Sequence, residues 1–215
     1  MERAAGMLVP RALAWYGKLP SRGDFVSHGV PRSWSRPWDE WLQRGLAHAA
    51  RQLGTAALRG RLQAMPPWAC VFGPVQAGEP MWCGAVVSSC DRVGRIFPTL
   101  LAEAYDDAAL RAAAVPSLLD RARELADWLI EASREPMSLK EFERGTAHVT
   151  GISWDTSAPD EAEGGLHRLC ESWPAARSFW WQIEGDLDPP PLAEAWPPRD
   201  SLVLDWIGAG GGTTG

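Results

Sequence analysis

The sequence predicts an α/β fold in which a mostly antiparallel central sheet is flanked by helices. Two segments, residues 34–53 and 106–134, have apolar residues at the spacing of amphipathic helices. Between them, two short apolar runs are joined by a connection rich in Gly and Pro. Such runs are typical of an antiparallel hairpin near the centre of a sheet. Each helix must bury its apolar face, and the sheet offers the surface for it.

The first helix is predicted from its large apolar residues. These recur at steps of three and four and therefore lie on one face of a helix. They include Trp34, Trp38, Trp41, Leu42 and Leu46. A tryptophan side chain buries roughly 150–250 Å², and its loss from a core costs about 3–5 kcal/mol. We therefore interpret these residues as structural core rather than as a ligand-binding cluster.

The ends of this helix are predicted from capping chemistry. Ser35 is the expected N-cap, and Pro37 fits a first turn, where no N–H donor is needed. Asp39 adds negative charge near the positive end of the helix dipole. Arg51 suits the last turn, and Gly54 can close the helix in the left-handed conformation.

The other elements are predicted from apolar runs and turn residues. We expect strands at 13–19, 24–28, 68–72, 81–87 and 96–102, a short helix at 58–65, and a helix at 106–134 that breaks near Pro116 and restarts with Ser117 as a cap. The last third of the chain is predicted to contain a short helix at 166–170 and edge strands at 179–183 and 202–206.

The 215 residues suit one domain. We expect a flexible N-terminus at 1–12, a single α/β domain at 13–207 and a disordered Gly-rich tail at 208–215. Residues 157–165 are polar and predict an exposed loop.

Charge and composition exclude several classes of partner. The net charge of −6 argues against binding to nucleic acid or to an anionic membrane surface. No apolar run is long enough to span a bilayer, and the N-terminus is a poor signal peptide, so we expect a cytoplasmic protein without membrane insertion. The four cysteines lack the spacing of a metal site, so we expect free thiols, no metal and no cofactor.

Two motifs resemble one known family. The first reads GKLPSRGDFV and is followed by PWDEWLQRGL, and the second, at residues 89–98, reads SCDRVGRIFP. Together they resemble the TagF (ImpM) family of bacterial type VI secretion over roughly residues 14–105. The resemblance implies an α/β fold with a longin-like core. It also implies a non-enzymatic cytoplasmic protein that represses secretion after translation by sequestering a scaffold with a forkhead-associated domain.

The charged residues of the two motifs are the candidate partner-binding residues: Lys18, Arg22, Asp24, Asp91, Arg92 and Arg95. Alternatives remain open for each group. Gly23 and Asp24 also suit a purely structural turn, with Gly23 permissive and Asp24 bonded to nearby backbone. In the second motif, Asp91 and one arginine could brace the loop while the other arginine faces outward.

Catalysis is the main alternative to partner binding. Lys18 follows Gly17, but the sequence lacks the spacing of a phosphate-binding loop. Cys90 is the one thiol beside charged residues, which leaves open a small enzyme with a site near the second motif. A structural subunit of the secretion baseplate is a third possibility. We expect no catalytic residues.

Overall fold

The computed structural model describes residues 7–74, 79–150, 154–155, 166–183 and 191–208. The strands are β1 (Met7–Leu8), β2 (Ala12–Gly17), β3 (Val26–His28), β4 (Trp68–Phe72), β5 (Met81–Cys90), β6 (Ile96–Tyr105), β7 (Trp154–Asp155), β8 (Ser178–Gln182) and β9 (Leu192–Glu194). The helices are α1 (Arg32–Leu53), α2 (Thr55–Gln63), α3 (Asp107–Arg111), α4 (Val115–Arg134), α5 (Leu139–Val149), α6 (Leu166–Ser172) and α7 (Leu202–Trp206).

Seven strands form one sheet in the order β3-β2-β6-β5-β4-β8-β9, and every neighbouring pair is antiparallel. The central strands β5 and β6 pair along their whole length, from Met81 opposite Tyr105 to Cys90 opposite Ile96. Side chains of β4, β5 and β6 are buried almost without interruption, as expected of a sheet covered on both faces. The predicted α/β fold is confirmed.

The helix α1 covers one face of the sheet together with α2 and α7. Trp34, Trp38, Trp41 and Leu42 are buried in this layer, and Leu46 is partly buried against it. The indole of Trp38 stacks on those of Trp180 and Trp196, each with ring centroids 6.3 Å apart. The predicted apolar face of α1 therefore supplies an aromatic core on this side.

The opposite face of the sheet is covered by α4 and α5. The residues predicted as the apolar stripe of α4 are all buried: Leu118, Ala122, Leu125, Leu129 and Ala132. Arg121 is also buried, and its guanidinium donates to both carboxylate oxygens of Glu103 on β6, at 2.7 and 2.9 Å. This bidentate pair fixes the position of α4 against the sheet.

Two helix starts differ from their predicted positions. The first helix begins at Arg32, with Pro31 at the N-cap, so Ser35 is not the cap and Pro37 lies in the second turn. Pro31 has a φ of −56° and a ψ of 144°, so the residue directly before the helix is extended. The helix α4 likewise starts before Pro116, which occupies a first-turn position, and Ser117 is helical.

The C-terminal third departs furthest from the predictions. Residues 202–206 form helix α7 rather than an edge strand, because Leu202, Val203 and Trp206 share one helical face and pack against α1. The strand β8 lies between β4 and β9, so it is not at the edge. Its Trp180 and Trp181 are buried on opposite faces of the sheet, as strand alternation requires. The helix α5 and the strand β9 were not predicted.

The structure tests only part of the predictions for the chain ends and for the loop at 157–165. Residues 1–6, the predicted loop at 157–165 and residues 209–215 lie outside the described residues. Within the N-terminus expected to be flexible, Met7–Leu8 pairs with Trp154–Asp155, and Leu8 is buried. This pairing was not predicted.

Gly45 and Gly60 provide a test of helix packing. A Cβ on Gly45 would lie 2.5 Å from Val203 Cγ2, whereas a Cβ on Gly60 of α2 would meet nothing within 4 Å. Alanine is favoured over glycine inside a helix by about 0.5–1 kcal/mol. We therefore expect Gly60→Ala to raise the melting temperature and Gly45→Ala to lower it. Thermal unfolding followed by circular dichroism measures both, and a stabilising Gly45→Ala would contradict the close contact between α1 and α7.

Candidate functional site

The two motifs meet at one end of the sheet. Since β2 and β5 are both antiparallel to β6, they run in the same direction on either side of it. The C-terminal end of β2, at Gly17, therefore lies beside that of β5, at Cys90. Two loops leave the sheet there, residues 18–25 and residues 91–95, which we call the paired loops.

Asp91 is the centre of the paired loops. Its carboxylate is buried, and Oδ2 accepts hydrogen bonds from Lys18 Nζ at 2.8 Å and Arg95 Nε at 2.6 Å. Its Oδ1 accepts from the backbone N–H groups of Val93 at 3.1 Å and Arg95 at 2.9 Å. One side chain thus joins the two loops and folds its own loop around itself.

Both the side chain and the backbone of Lys18 make contacts within the protein. The residue is only 7% exposed, and its Nζ lies 5.0 Å from the ring centroid of Phe25. The Lys18 N–H donates to Thr99 Oγ1 at 3.1 Å, and its carbonyl accepts from Ser89 Oγ at 2.8 Å. Lys18 and Asp91 therefore shape the loops from within, and the structure does not present either of them to a partner.

Backbone contacts add a second link between the loops. The N–H of Arg92 donates to the carbonyl of Arg22 at 2.8 Å, and Arg95 Nη2 donates to the carbonyl of Gly23 at 2.9 Å. Gly94 has a φ of 79°, a left-handed conformation that favours glycine. Gly23, in the other loop, does not have a positive φ, so its turn does not use the conformational freedom predicted for this glycine.

Hydrogen bonding determines the charge state of Asp91. Burial alone would raise the pKa of this carboxyl, but the hydrogen bonds from Lys18, Arg95 and Val93 outweigh it and hold the pKa well below its usual range. Asp91 therefore stays ionised at physiological pH, and its ion pairs with Lys18 and Arg95 persist.

The outward side of the paired loops combines charge with apolar surface. The side chains of Arg22, Asp24 and Arg92 are exposed and make no hydrogen bond or ion pair with the described residues. The expected bond from Asp24 to nearby backbone is therefore not formed. Phe25 is 45% exposed and Val93 is 68% exposed. Arginines beside exposed apolar and aromatic side chains are typical of protein–protein interfaces.

Phe25 and Val93 are the residues that sequence reasoning missed. Both lie inside the two motifs, beside the charged residues that were predicted to bind a partner. Phe25 packs edge-on against Phe97, with ring centroids 4.7 Å apart, and stacks on Tyr16 at 5.5 Å. The hydroxyl of Tyr16 donates to Asp39 of α1 at 2.6 Å. Phe25 is therefore exposed on one side and firmly held on the other.

Cys90 lies in a groove beside the paired loops. The groove has a volume of about 220 Å³ and is lined by Arg59, Ser88, Cys90 and Gly94, among other residues. In the part of the chain that the structure describes, no group of three His, Cys, Asp or Glu residues could hold a metal ion. No described helix is both long and apolar enough to cross a bilayer.

Comparisons with known proteins identify the family and the fold. Residues 14–149 match the family model described as the TagF N-terminal domain, type VI secretion system-associated. The crystal structure of PA0076 from Pseudomonas aeruginosa PAO1 superposes with a TM-score of 0.70 at 23% sequence identity. The match covers 95% of this chain and 97% of that chain, so the two proteins share a fold. No curated protein sequence matches the chain.

The ion pairs of Asp91 predict how stability depends on pH. An unfolded Asp has a pKa of about 3.9, and that of Asp91 is lower in the folded state. Its contribution to stability is therefore complete above about pH 4 and is lost as the pH falls toward the folded pKa. We expect Asp91→Asn to lower the melting temperature at pH 7 and the difference from the wild type to shrink at pH 3.

The exposed Asp24 supplies the control for this experiment. Asp24→Asn should change the melting temperature little at either pH, because its side chain has no partner among the described residues. A difference between wild type and Asp91→Asn that stayed constant from pH 7 to pH 3 would contradict the lowered pKa of Asp91.

Proposed function

Because the chain belongs to the TagF N-terminal domain family of type VI secretion system-associated proteins, we propose that it represses secretion after translation by sequestering a forkhead-associated scaffold protein. Family membership supports the accessory or regulatory role in this secretion system. The identity of the partner and the sign of the regulation rest on the resemblance carried by the two motifs. The proposed setting is the cytoplasm.

The paired loops are the observation that supports binding to a protein. The two motifs that carry the family resemblance build this one surface, where Phe25 and Val93 lie among the arginines. The ion pairs below these residues hold the loops in place before any partner arrives. Preorganised surfaces lose less conformational entropy on binding, so more of the contact energy appears as affinity.

The surroundings of Cys90 bear on the enzyme alternative. A cysteine nucleophile needs an adjacent base or another group that lowers its pKa. Arg59 reaches the groove, but its described lining includes no histidine and no carboxylate. No described residue is therefore placed there as a general base.

Val93 and Val9 provide a matched test of the proposed surface. Both valines are exposed, at 68% and 59%, and Val9 precedes β2 at the opposite end of the sheet. We expect Val93→Glu to reduce co-purification of the forkhead-associated scaffold by at least about tenfold, because a charge would enter the centre of the interface. Val9→Glu should not change it, and both variants should keep the wild-type melting temperature.

Other results of this experiment would redirect the proposal. Equal recovery of the scaffold with Val93→Glu would exclude the paired loops as the binding surface. If wild-type protein recovered no scaffold and instead co-purified with the assembled apparatus, the protein would be a structural subunit of the baseplate.

Cys90→Ser distinguishes the non-enzymatic proposal from the enzyme alternative. The change removes the thiol and nearly preserves the volume of the side chain, so we expect full repression of secretion. The measurement is the amount of a secreted type VI substrate in the medium of cells that carry the variant as their only copy. Loss of repression by a stably folded Cys90→Ser protein would favour an enzyme.

A further inference from the structure

A groove continues from the paired loops along the cleft between α2 and α4. The part beside Gly94 has a volume of about 220 Å³, and an adjoining part has a volume of about 350 Å³. The two parts share Gln63, Ser88 and Ser133 in their linings. They therefore form one continuous depression, which we call the basic groove.

Two arginines give the basic groove its charge. Arg59 lines the part beside the paired loops and Arg134 lines the far part, while the described lining contains no aspartate or glutamate. Neither arginine forms a hydrogen bond or ion pair with the described residues. The chain as a whole carries a net charge of −6, so the two arginines place positive side chains in this groove on an otherwise acidic protein.

The rest of the lining suits an extended polypeptide. Gln63, Ser88 and Ser133 offer side-chain hydrogen-bonding groups, whereas Met65 and Ile130 offer apolar surface. Successive side chains of an extended chain point to opposite sides. An occupant can therefore place small or apolar side chains on the floor and acidic side chains toward the arginines.

We propose that the basic groove binds an extended acidic segment of a protein partner, with its carboxylates near Arg59 and Arg134. This inference rests on the proposed function, because it supplies a second contact for a partner docked on the adjoining paired loops. Charges in solution are screened beyond about 8 Å at physiological ionic strength. A short acidic segment therefore responds to the two local arginines, whereas a long polyanion such as nucleic acid would be opposed by the net negative charge.

Peptide binding to the isolated protein tests the inference. The probe is a short fluorescein-labelled peptide that alternates Glu with Ala, and the control peptide replaces every Glu with Gln. We expect fluorescence anisotropy to show binding of the Glu peptide that weakens as salt is added, with the Gln peptide bound about tenfold more weakly.

Variants locate the binding site. Arg59→Gln and Arg134→Gln should each weaken binding of the Glu peptide by about threefold, the effect of losing one exposed ion pair. Arg32→Gln is the matched control, because the side chain of Arg32 is exposed and has no partner among the described residues. Arg32 is the first residue of α1, and the next residue, Ser33, bonds to Glu79 just before β5. The groove begins at Val87 of β5, about 20 Å along the strand from Met81, so Arg32→Gln should leave binding unchanged.

Several outcomes would overturn the inference. These are equal binding of the Gln and Glu peptides, no binding of the Glu peptide, and wild-type affinity in both groove variants. Binding of a phosphoserine peptide without binding of the Glu peptide would also overturn it. Each of these results leaves co-purification of the scaffold through Val93 untouched, so failure of this inference is distinguishable from failure of the proposed function.

Discussion

The buried ion pair between Asp91 and Lys18 is the interaction on which the candidate site depends. It joins two segments that lie 73 residues apart in the chain. A buried charge without a partner is strongly destabilising, so each of the two residues requires the other. Arg95 and two backbone N–H groups complete the hydrogen bonding of the carboxylate. Both loops are therefore held in place by contacts within the chain.

The sheet brings this pair together, and one glycine permits the close approach. Lys18 follows Gly17, where a Cβ would lie 2.3 Å from Thr99 Oγ1 on the neighbouring strand β6. Because position 17 has no side chain, the backbone of Lys18 can bond to Thr99 on one side while its Nζ reaches Asp91. The glycine that suggests a phosphate-binding loop in the sequence is needed instead for strand packing.

The elements predicted correctly are those that many residues of the sequence indicate together. The apolar face of α1 and the long apolar strands each rest on several residues, and the structure confirms both elements. The apolar residues of 202–206 fit both the alternation of a strand and the spacing of a helix, because the run is so short. Their packing against α1 favours the helix. For α5, the capping box of Ser138 and Glu141 is the sequence signal that marks the start of the helix.

The candidate site was predicted as a set of charges, and the sequence cannot say which charges point inward. Arg92 and Arg95 are nearly equivalent in the motif, yet the side chain of Arg92 faces outward without a partner among the described residues, whereas that of Arg95 holds Asp91. Arg95 is nevertheless 64% exposed along its side chain. A change at Arg95 would therefore disturb the loop and any interface together, whereas changes at Arg92 or Val93 separate the two roles. An exposed side chain that holds a buried group, as Arg95 holds the carboxylate of Asp91, cannot be used to test binding alone.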